Sequence, residues 1–325
     1  MRTPAAGALI SGSSIFSAAK MSDGGERFRT LRACPACNGT AIREYQKGTY
    51  SGQLTQDQIK ITDSQYGQTW DLSVCAGCGH IFANPCPTPD HLAALYSRVE
   101  DSLYEEEAAG RSKNFLRILR RLEKLIPQKG ILFDVGAATG ILLDLARRRG
   151  WEPAGIEPSS WAVRVALEKY RLDILEGRLE TAPLPNNRYE AVTMVDFIEH
   201  TPVPFEAMRK ASAILKPAGV LVLVTPDIHS RAARLAGRRW WHLRPAHVAF
   251  FSRRSLDALF RRAGFSVVSG RRYAWTFSAH YLFSRKPPLR PALKVGPLAS
   301  LLKRIPVKLA LGDSFEVYAV KDVPE

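Results

Sequence analysis

Two cysteine pairs, Cys34-Pro-Ala-Cys37 and Cys75-Ala-Gly-Cys78, are separated by 37 residues. A C-x-x-C step places two thiolates on one turn, and two such turns complete a tetrahedral zinc shell with bonds of about 2.3 Å. Gly39, Gly77 and Gly79 suit tight turns beside the ligands. Four protein ligands leave no open position, so the expected metal supports folding rather than reaction. Cys86, between Pro85 and Pro87, has no partner cysteine and is not expected to ligate; His80 is a weak substitute ligand.

The second constellation is acidic. A strand-like run, ILFDV, ends at Asp134 and passes into Gly136-Ala137-Ala138-Thr139-Gly140, after which ILLDLARRRG reads as a helix. A small-residue turn between a strand and a helix N-terminus lets a ligand approach the backbone closely. A dinucleotide fingerprint would need glycines where Ala138 and Ile141 stand, and the Asp134 carboxylate disfavours a pyrophosphate. Glu157 closes the next strand, 17 residues beyond Gly140, where it can accept hydrogen bonds from both ribose hydroxyls. A nucleoside bearing ammonium and sulfonium groups and no phosphate satisfies both acids, which describes S-adenosylmethionine.

Five ordered segments, DVGAATG, GIEPS, DFIEHTP, ILKPAGVLVLVTPD and AHVAFFSRRSLDALFRRAGF, extend from about Ile131 to Phe265. In order and spacing they resemble class I S-adenosylmethionine-dependent methyltransferases. The resemblance implies that Asp134, Gly136, Ala137 and Gly140 hold the methionine end, that Glu157 holds the ribose, that Leu179 lies near adenine and that Asp196 lies beside the sulfonium. Two departures stand out: Ala138 replaces a frequent glycine, and Arg178 stands where many members carry an acid for the adenine amino group. The cysteine module with its connecting phrase FANPCPTPDHLAALY resembles bacterial enzymes that tailor natural products and cell-envelope sugars. Longer deoxysugar C-methyltransferases of that kind carry a further C-terminal domain for which this chain has no room, so their activity is not carried over.

A methyl sulfonium is already activated, so the protein has chiefly to align a nucleophile and, where needed, take its proton. Glu199 and His200, just past the fourth strand, are the candidate bases, with a positioning role as the alternative. Trp240, Trp241, His242 and His247 follow the fifth strand, where the resemblance implies a substrate-covering segment; plain packing is the alternative. Enzymes acting on exocyclic amines show an Asn/Asp-Pro-Pro-aromatic motif after strand four. Asp196-Phe197-Ile198-Glu199 stands there instead, which favours an oxygen or carbon acceptor.

Strand-like runs alternate with helical stretches from Gly130 to Gly264, and FSVVSGRRYAW and SFEVYAV close the chain. The expected fold is α/β: a doubly wound, mostly parallel seven-stranded sheet of the Rossmann-like methyltransferase kind, preceded by a small zinc-binding β module. The expected organisation is a disordered tail over 1–30, a zinc-ribbon-like module over 31–100, a helical connector over 101–129 and the methyltransferase domain over 130–325, with a basic insertion near 270–311.

The chain has 325 residues, 46% of them apolar, and no run of 18 apolar residues, which excludes a disordered chain and a spanning helix. Between residues 229 and 308 eighteen Lys and Arg face Asp257 alone, within a chain whose formal net charge is +15. This basic stretch admits nucleic acid, anionic lipid or a phosphorylated acceptor, and a solvated face is the plain alternative. The leading expectation is methyl transfer to oxygen or carbon of a small molecule, sugar or lipid-linked glycan. An rRNA methyltransferase and a non-catalytic zinc-dependent nucleic-acid- or partner-binding protein are the competing readings, and nucleic acid is not favoured. Residues 286–311 alternate basic and apolar side chains and suggest peripheral contact of a cytoplasmic protein with the anionic inner membrane face, against a packed insertion.

Overall fold

The computed structural model describes residues 26–50, 52–62 and 65–323. Most of the expected tail, residues 1–25, lies outside these. Phe28–Arg29, at the end of that stretch, pairs antiparallel with Cys86–Pro87.

Seven strands form the main sheet: β1 Ile131–Val135, β2 Glu152–Glu157, β3 Leu175–Glu176, β4 Tyr189–Val195, β5 Leu215–Pro226, β6 Phe265–Arg272 and β7 Ser314–Lys321. Their order is β6-β7-β5-β4-β1-β2-β3, with β7 running antiparallel to both its neighbours. The seven strand-like runs of the sequence thus fold into one doubly wound sheet. In β5, Gly219-Val-Leu-Val-Leu-Val-Thr-Pro226 is almost wholly buried, as expected of a central strand with helices on both faces. Chain order reverses between β1 and β4, which opens a crevice beyond their carboxyl ends.

The glycine turn starts the helix Ile141–Arg148 from Gly140, which has φ 83°. That helix buries Ile141, Leu142, Leu143 and Ala146, while Arg147 and Arg148 occupy its last turn, where the helix dipole favours cations. The helix Ala108–Leu125 packs Phe115, Ile118, Leu119 and Leu122 against the same core, while Leu125, on the same apolar spacing, is exposed at its end.

The N-terminal module is not a separate bead. Its sheet runs Ile42–Gln46, Leu72–Cys75, Ile81–Ala83 and then Ala249–Phe250, a strand contributed from beyond β5. The Trp70 indole donates to the Pro245 carbonyl at 2.8 Å, and the Ala83 amide donates to Val248 at 2.8 Å. The segment after β5 is therefore clamped on one side by the cysteine module. The basic insertion pairs Trp275–Ser278 with Pro306–Leu309 and carries the helices Ala279–Ser284 and Gly296–Arg304 between them.

Candidate active site

Three residues of the glycine turn take left-handed backbone conformations: Gly136 at φ 68°, Ala138 at 46° and Gly140 at 83°. For Ala138 this is a strained position, held because its amide donates to Glu157 Oε2 at 2.9 Å. The other Glu157 oxygen accepts from the Ser159 amide at 2.9 Å. Both bonds fix the carboxylate on the wall of a groove that also includes Gly136, Ala138, Leu179 and Asp196. Burial pushes the Glu157 carboxyl up to about 7 despite these two donors.

Of the seven residues expected to hold the donor, Gly136, Glu157, Leu179 and Asp196 line the groove, whereas Asp134, Ala137 and Gly140 lie behind it. Asp134 is buried and accepts a hydrogen bond from the Thr193 hydroxyl of β4, and burial, with Glu157 nearby, raises it to about 7. Gly140 serves the turn itself: its φ of 83° is a left-handed conformation that glycine adopts without strain. Arg178 reaches the groove but pairs with Asp90 at 3.0 Å. The groove also takes Tyr96, Asp101 and Tyr104 from the segment before β1, none of which the motifs of the sheet indicate. Asp101, Glu157, Glu180 and Asp196 face it against Arg178 alone among Lys and Arg. A cationic adenosyl ligand without phosphate fits that donor set, and a pyrophosphate does not.

A second cavity, of about 690 Å³, shares Asp196 and His200 with the groove. Its charge is reversed. Arg111, Arg239, Arg244, Arg285, Lys286 and Arg290 line it, against Asp196, Glu199 and Asp313. Trp241, Trp275, Phe277 and Tyr281 supply aromatic walls. Asp196 has φ 53°, a conformation Asp tolerates better than most residues, and burial raises it to about 7 against the pull of Arg111 and Arg244. Glu199 accepts from the Thr225 hydroxyl at 2.9 Å, and burial followed by repulsion from Asp196 raises it well above the carboxylate range.

His200 Nδ1 lies 2.9 Å from the Tyr96 hydroxyl and 3.1 Å from the Ala246 carbonyl. That carbonyl only accepts, so Nδ1 carries the proton and Nε2 keeps its lone pair. Burial, reinforced by Arg244, lowers the imidazole to about 3. His247 sits edge-on to His200 at 4.7 Å between ring centres and is held well below its ordinary value, again chiefly by burial. Trp241, His242 and His247 line the chamber as expected of a covering segment, but Trp240 does not. It is 1% exposed, packed with Trp70, Leu243 and Val248 in the core beneath the cysteine module.

The four cysteine sulfurs converge within 4.8 Å. Cys34 and Cys78 stand 3.7 Å apart and Cys37 and Cys75 3.6 Å. A tetrahedron with bonds of about 2.3 Å has edges of about 3.8 Å, whereas a disulfide needs about 2.05 Å. Cys86 is buried outside the cluster. His80 stacks on Phe82 and Phe251 and takes no part in it.

Comparison with known proteins agrees with this geometry. A family model described as a methyltransferase domain matches residues 105–270. The ubiquinone biosynthesis O-methyltransferase of Alkalilimnicola ehrlichii is 33% identical over 104 residues, covering 29% of this chain and 40% of that protein. Its counterpart from Paracidovorax citrulli is 27% identical over 156 residues, covering 44% and 64%. The chain spans about half the length of the curated relatives it matches. Among solved structures, an S-adenosylmethionine-dependent methyltransferase from Archaeoglobus fulgidus is similar at 18% identity and TM-score 0.45, covering 64% of this chain and 94% of that one. With the domain model spanning half of its residues, the chain belongs to the methyltransferase-domain family, in its class I S-adenosylmethionine-dependent form.

Proposed function

We propose that the chain transfers the methyl group of S-adenosylmethionine to an oxygen or carbon of a negatively charged small molecule, sugar or lipid-linked glycan. The observation that carries this reading is the charge reversal across Asp196 and His200, from an acid-lined groove to a chamber rich in Arg and Lys. A cationic donor and an anionic acceptor would meet at that wall. The acceptor's electron pair forms the bond to methyl carbon as the carbon–sulfur bond breaks toward sulfur, and the acceptor proton leaves on the chamber side. Glu199 and His200 stand where that proton is handled. An imidazole held near 3 is a weak base, so His200 serves to orient the acceptor through Nε2 more than to store its proton. The names of the curated relatives favour oxygen over carbon.

The cysteine cluster would hold structural zinc, which the sulfur spacings support. No described helix is long and apolar enough to cross a membrane. Leu298, Leu301 and Ile305 are nevertheless exposed beside Lys303 and Arg304, and residues 258–312 contain no acid. That surface supports peripheral contact of a cytoplasmic enzyme with anionic lipid, and Lys286, Arg290 and Leu311 connect it to the chamber mouth. Calorimetry with S-adenosylmethionine on wild type and Glu157→Ala, followed by a search for label transferred into aqueous and lipid extracts, tests the reading. Equal affinity in both proteins would refute the ribose assignment, and label in neither extract would refute the acceptor class.

A further inference from the structure

Glu199, His200 and His247 bring one carboxylate oxygen and one nitrogen from each imidazole within 4.8 Å of one another. All three residues line the acceptor chamber. Glu199 Oε1 and His247 Nδ1 are buried without a hydrogen-bond partner. His200 keeps a lone pair on Nε2 because Nδ1 faces the Ala246 carbonyl. Buried polar atoms that converge without hydrogen-bond partners are costly, and a cation shared among them would satisfy them.

We infer that Glu199, His200 and His247 hold a divalent transition-metal cation, separate from the thiolate cluster, with open coordination positions turned toward the acceptor. Metal–nitrogen and metal–oxygen bonds of about 2.0–2.2 Å place neighbouring ligands about 3–4 Å apart, so the three atoms, which lie within 4.8 Å of one another, would need only to draw slightly closer around the ion. Two imidazoles and one carboxylate suit first-row ions better than magnesium or calcium, whose preferred ligands are oxygens. Their anchoring is firm: the Glu199 carbonyl accepts from the Val248 and Ala249 amides, tying the motif after β4 to the segment that carries His247. The inference rests on the reading of this chamber as the acceptor side, and it narrows the acceptor to a hydroxyl. A hydroxyl oxygen on the cation gives its proton to solvent more readily, and the resulting oxyanion supplies the electron pair for the new carbon–oxygen bond. Glu199 and His200 would then act on the acceptor through the cation rather than as free bases.

The test is titration with Co²⁺ of the full chain carrying one equivalent of zinc at the thiolate cluster, read by elemental analysis and visible absorption, with calorimetry for S-adenosylmethionine on every variant as a check of the fold. Wild type should take up one further equivalent with weak d–d bands. Glu199→Gln and His247→Ala should each weaken uptake at least tenfold, while His229→Ala, at an exposed histidine, should not. His247→Asn replaces the alanine variant if the latter fails to bind the donor. No uptake by wild type, uptake unchanged in the Glu199 and His247 variants, or an intense thiolate band with release of zinc would each overturn the site. Uptake as expected without donor binding would leave the cation site standing and remove the methyl-transfer reading instead.

Discussion

The Tyr96 hydroxyl lies 2.9 Å from His200 Nδ1, joining the helix Pro89–Tyr96, just after the cysteine module, to the motif after β4. Tyr96 is the acceptor-side and donor-side hinge at once, because its ring lines the donor groove while its oxygen orients an imidazole shared by both cavities. Tyr96→Phe keeps the ring and removes the oxygen. The Ala246 carbonyl still holds the tautomer, so the loss is one of orientation. The expected result is a fall in kcat of about 3- to 10-fold, equivalent to about 1 kcal/mol, with the affinity for S-adenosylmethionine unchanged by calorimetry.

Glu157, Asp134 and Asp196 are each raised to about 7, first of all by burial. Acids raised on folding bind more protons in the folded chain than in the unfolded one between about pH 4 and 7. Their contribution to stability is therefore favourable below that window and is lost as pH rises through about 7. A cationic donor prefers the ionised carboxylates, so its affinity moves the other way. Between pH 6 and 8 the dissociation constant should fall by about tenfold while the melting temperature of the ligand-free protein declines, and saturating donor should offset that decline. Calorimetry and thermal melts across that range check both signs.

The seven strands are legible in the sequence because a strand covered on both faces must be apolar almost throughout, as in Val220–Val224. Glu157 is legible for a different reason: a carboxylate at a strand end beside a glycine turn has a chemical use. Asp134 and Gly140 also have structural uses that the sequence does not distinguish from donor binding: Asp134 accepts a hydrogen bond from the Thr193 hydroxyl, and Gly140 takes a left-handed φ in the turn. Ala249–Phe250 could not be read as a strand, because two residues have no periodicity and their partner, Ile81–Phe82, lies far away in the chain. Tyr96 sits in a phrase that the sequence marks, but its contact spans 104 positions and carries no local signal.

Trp240 and Trp241 are adjacent and identical in type, yet they face different surroundings. Trp240→Ala empties a core position and should cost about 3–5 kcal/mol of stability. Trp241→Ala removes a chamber wall and should lower kcat/KM for the acceptor at least tenfold, with a smaller loss of stability than Trp240→Ala because Trp241 is only partly buried against the same core. Denaturant melts and initial rates on the two variants separate the roles; the same stability loss in both would contradict the assignment.

Cys75 closes a strand of the module's sheet, and its thiol stands 3.6 Å from that of Cys37. Cys75→Ser replaces a soft thiolate by a hydroxyl that stays protonated, which removes one of four zinc ligands. The effect should not stop at the module, because its sheet continues into Ala249–Phe250, two residues from His247. Zinc content should therefore drop from one equivalent toward none, with a melting temperature lower by about 10 °C or more. The donor groove is itself lined by Ile59, Ile61, Pro89, Leu92 and Ala93 of the module region, so its affinity for the donor should fall together with turnover. A Cys75→Ser protein that keeps stoichiometric zinc and full turnover would show that the cluster is neither closed by this residue nor coupled to the site.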